Sequence, residues 1–236
     1  MKLTLAAALL VLGTASGQSF EAATVRVAAP QAGGGRMRIA GDRLTLTNST
    51  LMNALAHAYH LISRDQVAGP DWIFAGTERY DIVAKAPNNT SGEQMLVMLQ
   101  NLLIERFKLV LHQETRDIPG YALVLGKGRL KLEEVKDPPA KNDWTVNGER
   151  REARGVTMPA FAAGFLSLML QAPVVDQTGL AGFYNFPFSP TKEETRREEF
   201  PSVDTALGEL GLKLEDRKLP LDVIVVESGS QIPIDN

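Results

Sequence analysis

Apolar side chains alternate with polar ones, or return every three to four positions, in a definite order along the chain. Leu44 and Leu46 alternate with Thr45 and Thr47, which predicts a short strand. Asn48, Ser49 and Thr50 offer caps to a helix striped by Leu51, Leu55, Tyr59 and Ile62. Gly69-Pro70-Asp71 predicts a turn. Tyr80 to Lys85 reads as a strand, which Asn88 to Ser91 breaks. Ser91 and Gln94 form a capping box ahead of a helix with Met95, Met98, Leu99, Leu102 and Leu103 on one face. Phe107 to Leu111 and Tyr121 to Leu125 read as two strands, joined by a polar stretch that ends in Pro119-Gly120.

The same order returns between Gly155 and Glu227. Val156 to Met158 is a short strand, and Pro159 suits the first turn of a helix striped by Phe161, Phe165, Leu168 and Met169. Val174-Val175 is a strand followed by turn glycines, and Phe183 to Phe188 is another, with Tyr184 standing where Tyr80 stood. Pro201-Ser202 opens a helix with Val203, Leu207 and Leu210 inward and Gly211 as its C-cap. Leu212 to Leu214 and Val223 to Val226 close the series. Phe107-Lys-Leu109 matches Leu212-Lys-Leu214, and Arg116-Asp-Ile-Pro119 matches Arg217-Lys-Leu-Pro220. The expected fold class is α+β: two tandem strand-helix-strand-helix-strand-strand units with small mixed sheets. Phe20 to Ala28 adds a leading strand, Gln31 to Gly35 a loop and Met37 to Ile39 another strand. The joint falls in the Pro-rich Asp137 to Asp143, so the units are residues 18–140 and 141–236. The run Glu193 to Glu199 cancels its own charge and reads as solvated loop.

Residues 1–17 follow a different plan. Lys2 gives a positive start, Leu3 to Gly13 is apolar, and Ala15-Ser16-Gly17 places small side chains before Gln18. That is the layout of a secretory signal peptide. Its apolar run is well short of the roughly 20 residues a membrane span needs. The expectation is an exported chain, periplasmic or secreted, with no membrane span after cleavage. It has no Cys, so no disulfide, thiolate nucleophile or Cys-bound metal is available. A net charge of −3 gives no electrostatic case for nucleic acid.

Candidate chemistry is sparse. His57 and His60 lie one helical turn apart, but no Glu follows His57 as the zincin pattern requires, and a third ligand would have to come from His112 or a distant carboxylate. Asp176-Gln-Thr-Gly179 echoes catalytic aspartate phrases, yet Gln177 departs from them, and an Asp-led turn after Val174-Val175 accounts for the residues. Trp72, on the turn after Gly69-Pro70, is either a lid over the core or an anchor for a partner. No catalytic residue, metal ligand or cofactor is assigned. Trp72, Tyr80, Asp176 and Tyr184 stand as the residues that a partner or ligand would touch.

Several phrases resemble a secreted family of unknown function, expanded in soil Acidobacteria and known as the soil-associated family. They are Phe20 to Val25, Ala68 to Ile73, Glu78 to Ala86, Arg106 to Leu109 with His112 to Arg116, Tyr121 to Val124, and Pro173 to Leu180. The resemblance implies an exported setting, in a family whose domain also occurs fused to membrane metallopeptidase sensors of the antirepressor kind. It implies no reaction. Each half also resembles the short N-terminal domain of secretins and TonB-dependent receptors, best in Ser202 to Leu214 with Val223 to Val225. Together these readings favour a non-catalytic exported binding module whose partner is another extracytoplasmic protein or a small ligand, and exposed strand edges would let it add a strand to a partner. The alternatives are an extracytoplasmic hydrolase using acidic residues, with Asp176 first among them, and a small-ligand binder between the two halves.

Overall fold

The computed structural model describes residues 19–29, 34–136, 143–147, 150–188 and 201–234. The expected signal peptide, most of the Pro-rich joint and the Glu193 to Glu199 run lie outside the described residues. The fold is mixed α+β, as the alternating and helical segments predict. In chain order it contains β1 (Ala22–Val27), β2 (Arg36–Ala40), β3 (Arg43–Ser49), α1 (Leu51–Ala58), β4 (Val67–Ala68), α2 (Asp71–Ala75), β5 (Tyr80–Lys85), α3 (Gly92–Arg106) and β6 (Val110–Leu125). Then come β7 (Glu133–Val135), β8 (Asp143–Asn147), β9 (Arg150–Val156), a π-helical segment (Ala160–Leu166) running into α4 (Ser167–Leu170), β10 (Val174–Asp176), β11 (Phe183–Pro187), α5 (Pro201–Leu210) and β12 (Leu212–Ser228). A first sheet has the antiparallel order β1-β5-β3-β2, and another has β7-β11-β9-β8. Between them a central sheet has the order β10-β6-β12-β4.

Local chemistry fixes the helix starts. Thr50 Oγ1 accepts the Asn53 amide at 3.1 Å, and Ser91 and Gln94 exchange both bonds of their capping box at 3.2 and 2.9 Å. Leu44, Leu46, Leu51 and Leu55 are buried, as are all five residues of the α3 stripe. The helix after Pro159 departs from its expected stripe. Its π-turns close i to i−5, with the Ser167 amide bonding the Ala162 carbonyl, so side chains are dealt out at a wider angle than in an α-helix. Phe161, Leu166 and Leu170 therefore face the core and Leu168 is 81% exposed.

The larger departure is the central sheet. Where the sequence predicts two pairs of short strands, β6 runs unbroken through Pro119-Gly120, β12 runs unbroken through Pro220, and the two pair with each other from Val110↔Ser228 to Leu125↔Leu212. The prolines fit because of parity. Tyr121 turns its amide outward, to the Pro173 carbonyl at 2.9 Å, and Asp222 turns its carbonyl outward, to Gln66 Nε2 at 3.0 Å. With a period of two, Pro119 and Pro220 also face outward, where no bond of the β6–β12 ladder needs their missing N–H. Gly120 is required for a different reason. A Cβ there would stand 2.5 Å from the Pro173 carbonyl oxygen and 2.8 Å from Leu219 Cδ1. Overpacking of this kind costs about 1–3 kcal/mol. Gly120→Ala should therefore lower Tm by several degrees in a thermal melt, and an unchanged Tm would mean that the Pro173 strand simply edges away.

Two cores result, and β6 and β12 serve both. The first gathers Val25, Leu46, Leu55, Ile82, Leu99 and Phe107, and it takes Ile224 and Val226 from the far end of β12. The second gathers Val156, Phe161, Phe186, Val203 and Leu207, and it takes Leu123 from the far end of β6 and Leu212 from the start of β12. Between the cores, residues 112–117 of β6 are exposed, whereas Ile118 and Leu219, opposite each other in register, are buried, as are Gly120 beside them and Val223 and Ile224 on β12.

Candidate functional site

The segment from α1 to β5 folds back on itself and leaves a groove. Ser63 opens a single 3₁₀ turn over Arg64–Gln66, closed by a capping box. Gln66 is buried there, its Oε1 accepting the amides of Ile62 and Ser63 and its Nε2 reaching β12. Pro70 begins α2, and Gly76 ends it in the left-handed region at φ 63°. Ile73 points to the first core. The Phe74 ring lies beneath the Arg64 guanidinium, 5.5 Å from its carbon, and the Phe74 carbonyl accepts Arg64 Nη2 at 2.9 Å. Across the groove Arg79 Nη1 donates to the Asn48 carbonyl at 3.1 Å. Asn48 can offer that carbonyl because it sits in a left-handed kink at φ 51°, held by its amide on Asp81 Oδ1 at 2.7 Å.

The cavity so formed is about 320 Å³, lined by Thr50, Met52 and Asn53 of the α1 start, by Ile73 to Gly76, and by the two arginines. Each guanidinium carries five N–H donors, and one from each anchors it to a carbonyl. Among the described residues no carboxylate forms an ion pair with either, although Asp65, Asp71 and Glu78 are close in sequence. The arrangement is a pair of fixed cations facing one mixed, largely polar groove, which suits an anion. A larger hollow of about 470 Å³ lies between Ser19 to Ala23 and α3, but there Arg106 has Glu105 at 3.6 Å as its counter-charge. A smaller one of about 170 Å³ holds Tyr121, Asp204, Leu214 and Asp216. Partial desolvation, and then the Asp216 charge, push the Asp204 carboxyl above its usual range.

The sequence-derived candidates fall elsewhere. Trp72 is half-buried and packs on the first core, two residues from Phe74. Tyr80 is buried, its ring edge-on to Phe107 at 4.8 Å and its hydroxyl donating to the Gln231 carbonyl at 2.7 Å. Desolvation, with the Glu78 charge second, pushes that phenol up to about 12. Asp176 Oδ1 accepts both the amide and the hydroxyl of Thr178, at 2.9 and 2.8 Å, closing a turn. Tyr184 is buried in β11 against Val156 and Glu134. None of these four lines the groove, and they divide between the two cores, Trp72 and Tyr80 at the first and Tyr184 in the second. The histidines also diverge. His57 is exposed on α1, with partial desolvation holding its pKa below the usual value, His60 pairs with Glu93 at 2.9 Å, and His112 pairs with Glu227 at 2.9 Å. Among the described residues no group of three His, Asp or Glu could hold a metal ion, and no helix is long and apolar enough to cross a membrane. Arg64, Phe74 and Arg79 carry no motif. The one sequence signal is that both arginines flank the Gly69 to Gly76 turn.

A family model described as "Protein of unknown function (DUF3738)" matches residues 52–228, which takes in Arg64, Phe74, Arg79 and the whole second core. Neither a curated protein nor a solved structure matches the chain.

Proposed function

Because the chain belongs to this family of unknown function, whose description assigns no chemistry, we propose a role from its own geometry: a non-catalytic exported binding module that holds an anionic ligand or partner between Arg64 and Arg79. One observation carries the reading. Two guanidiniums face a single cavity, each fixed by a backbone carbonyl, and neither has a carboxylate of the described chain to neutralise it. Unmatched positive charge is the more telling in a chain whose net charge is −3. The partner is another extracytoplasmic protein or a small acid.

The same reading takes residues 18–140 and 141–236 as two copies of one unit, supported by the element order. Strand, helix, short strand, strand, helix and long strand follow one another in β3-α1-β4-β5-α3-β6, and again from β9 to β12. It also takes residues 1–17 as the export signal. One experiment addresses groove and export together. The full chain, recovered from the periplasm of a bacterial host, should begin at Gln18. In a thermal-shift panel of phosphate, sulfate, citrate and simple carboxylic acids, at least one anion should raise Tm. A ligand at a hundred times its Kd adds about 2.7 kcal/mol. For a chain of this size that is on the order of 5–10 °C. The shift should vanish in the double variant Arg64→Gln, Arg79→Gln. Equal shifts in both proteins, or none in either, would remove the groove as the binding site.

A further inference from the structure

Alternation along the strands of the first sheet sorts its residues to two faces. Val25, Leu44, Leu46 and Ile82 turn to the core. The opposite face carries Arg26 of β1, Lys85 of β5, Arg43 of β3, and Arg36 and Arg38 of β2, all exposed. Register spreads these cations over the face. Lys85 stands opposite Arg43, Arg38 opposite Thr45, Arg36 opposite Thr47, and Arg26 opposite Asp81. Among the described residues only Lys85 of the five forms an ion pair, with Glu21 at 2.9 Å. Asp81 is the only Asp or Glu in the four strands, and its Oδ1 is taken by the Asn48 amide. Asp42 lies in the turn between β2 and β3. Five cations against Glu21, Asp42 and Asp81 leave this face at +2, so the rest of a chain of net charge −3 carries −5. We propose that the face is a docking surface for an anionic lipid bilayer, on which the protein lies with its first sheet against the headgroups.

The layout of the charge selects this partner. Three strand spacings separate β1 from β2, and four residues separate the Arg36 row from the Arg43 row, so the cations cover about 14 Å in each direction. A linear polyanion meets charge along a line or in a groove, and no residue of β2, β3 or β5 lines any of the three hollows described above. A protein partner is held by buried aromatic anchors at the centre of its interface. The centre here is Val83, 40% exposed, flanked in register by Thr24 and Thr45, and no aromatic side chain points to this side. A charged plane needs no groove and no anchor, only cations spread in two dimensions with small side chains between them. Each Lys or Arg brought near an anionic bilayer strengthens binding roughly fivefold. The acidic remainder of the chain would be repelled by the same surface, which fixes the side that docks. The proposal uses neither the groove nor the export signal.

Co-sedimentation of the full chain with vesicles of phosphatidylcholine, alone or mixed with phosphatidylglycerol, tests it. Partitioning onto the mixed vesicles should exceed that onto phosphatidylcholine at least tenfold at low salt and fall to the neutral level at about 0.5 M salt. The variant Arg26→Gln, Arg36→Gln, Arg38→Gln, Arg43→Gln should lose at least tenfold with Tm unchanged, because these side chains are exposed. Arg38→Gln alone should lose about fivefold, which keeps the test open if the fourfold variant folds poorly. Lys127→Gln, Arg129→Gln, Lys131→Gln, Lys218→Gln removes the same charge from exposed positions outside the first sheet and should bind as the natural chain does. Equal binding to neutral vesicles, or an equal loss in the two fourfold variants, would overturn the proposal. So would binding to soluble polyglutamate with none to vesicles, which would assign the face to an acidic protein instead.

Discussion

A chain that stops at residue 140 is expected not to reach a native fold. Such a fragment keeps β1 to β7 and every helix of the first core, so on element count alone it looks complete. It loses the strand against which β6 pairs over its whole length. It loses Ile224 and Val226 from the core, and it loses β4's own partner, since Val67 and Ala68 pair with Ile224 and Val225. Three buried or half-buried polar groups go with them. Gln66 Nε2 would face no Asp222 carbonyl, the Tyr80 hydroxyl no Gln231 carbonyl, and the Phe107 carbonyl no Ser230 amide. Each group left unsatisfied in a low-dielectric site costs about 1–3 kcal/mol. A whole domain is stable by only about 5–15 kcal/mol. The fragment 18–140 should therefore show no cooperative melt and a collapsed amide spectrum, and adding the fragment 141–236 should restore dispersion. A cooperative melt from 18–140 alone would show that the β12 end is dispensable to the first core.

Phe107→Ala is the point substitution with the largest expected cost. Phe107 is fully buried at the end of α3, packs edge-on against Tyr80, and has its backbone bonded on both sides, to the Leu103 carbonyl and the Ser230 amide. Truncation of a buried Phe typically costs about 3–5 kcal/mol, because the cavity it leaves adds to the lost transfer energy. Chemical denaturation should show the midpoint falling steeply with the slope unchanged, and Phe107→Leu should recover most of the loss. A cost under about 1 kcal/mol would mean that the C-terminal tail closes over the gap.

What could be read from the sequence is what is decided within a few residues. Ser91 and Gln94 satisfy each other across one helical turn, and Leu44 and Leu46 alternate with threonines because a half-buried strand demands it. The pairing of β6 with β12 is decided between residues about a hundred apart. Pro119-Gly120 has the composition of a turn, and only the outward parity of the strand lets it lie flat in a ladder. Alpha-helical spacing places Leu168 inward, and the π-turns rotate it out. The groove was illegible for a third reason. Arg64 and Arg79 each have an acidic neighbour in sequence, so both read as ordinary surface charge, and the failure of those neighbours to pair exists only in three dimensions.

The unpaired rims in the middle of the β6–β12 ribbon have a consequence for its encounters with other strands. A long two-stranded ladder with both rims open is what a neighbouring chain, or a stray copy of the same one, would copy onto to seed a fibre. Any strand laid along either rim here meets a ring nitrogen with no hydrogen, at Pro119 on one side and Pro220 on the other, and must forfeit a bond in mid-run. Like posts set in a dock, the two rings interrupt each rim, so a strand lying alongside could not complete its ladder.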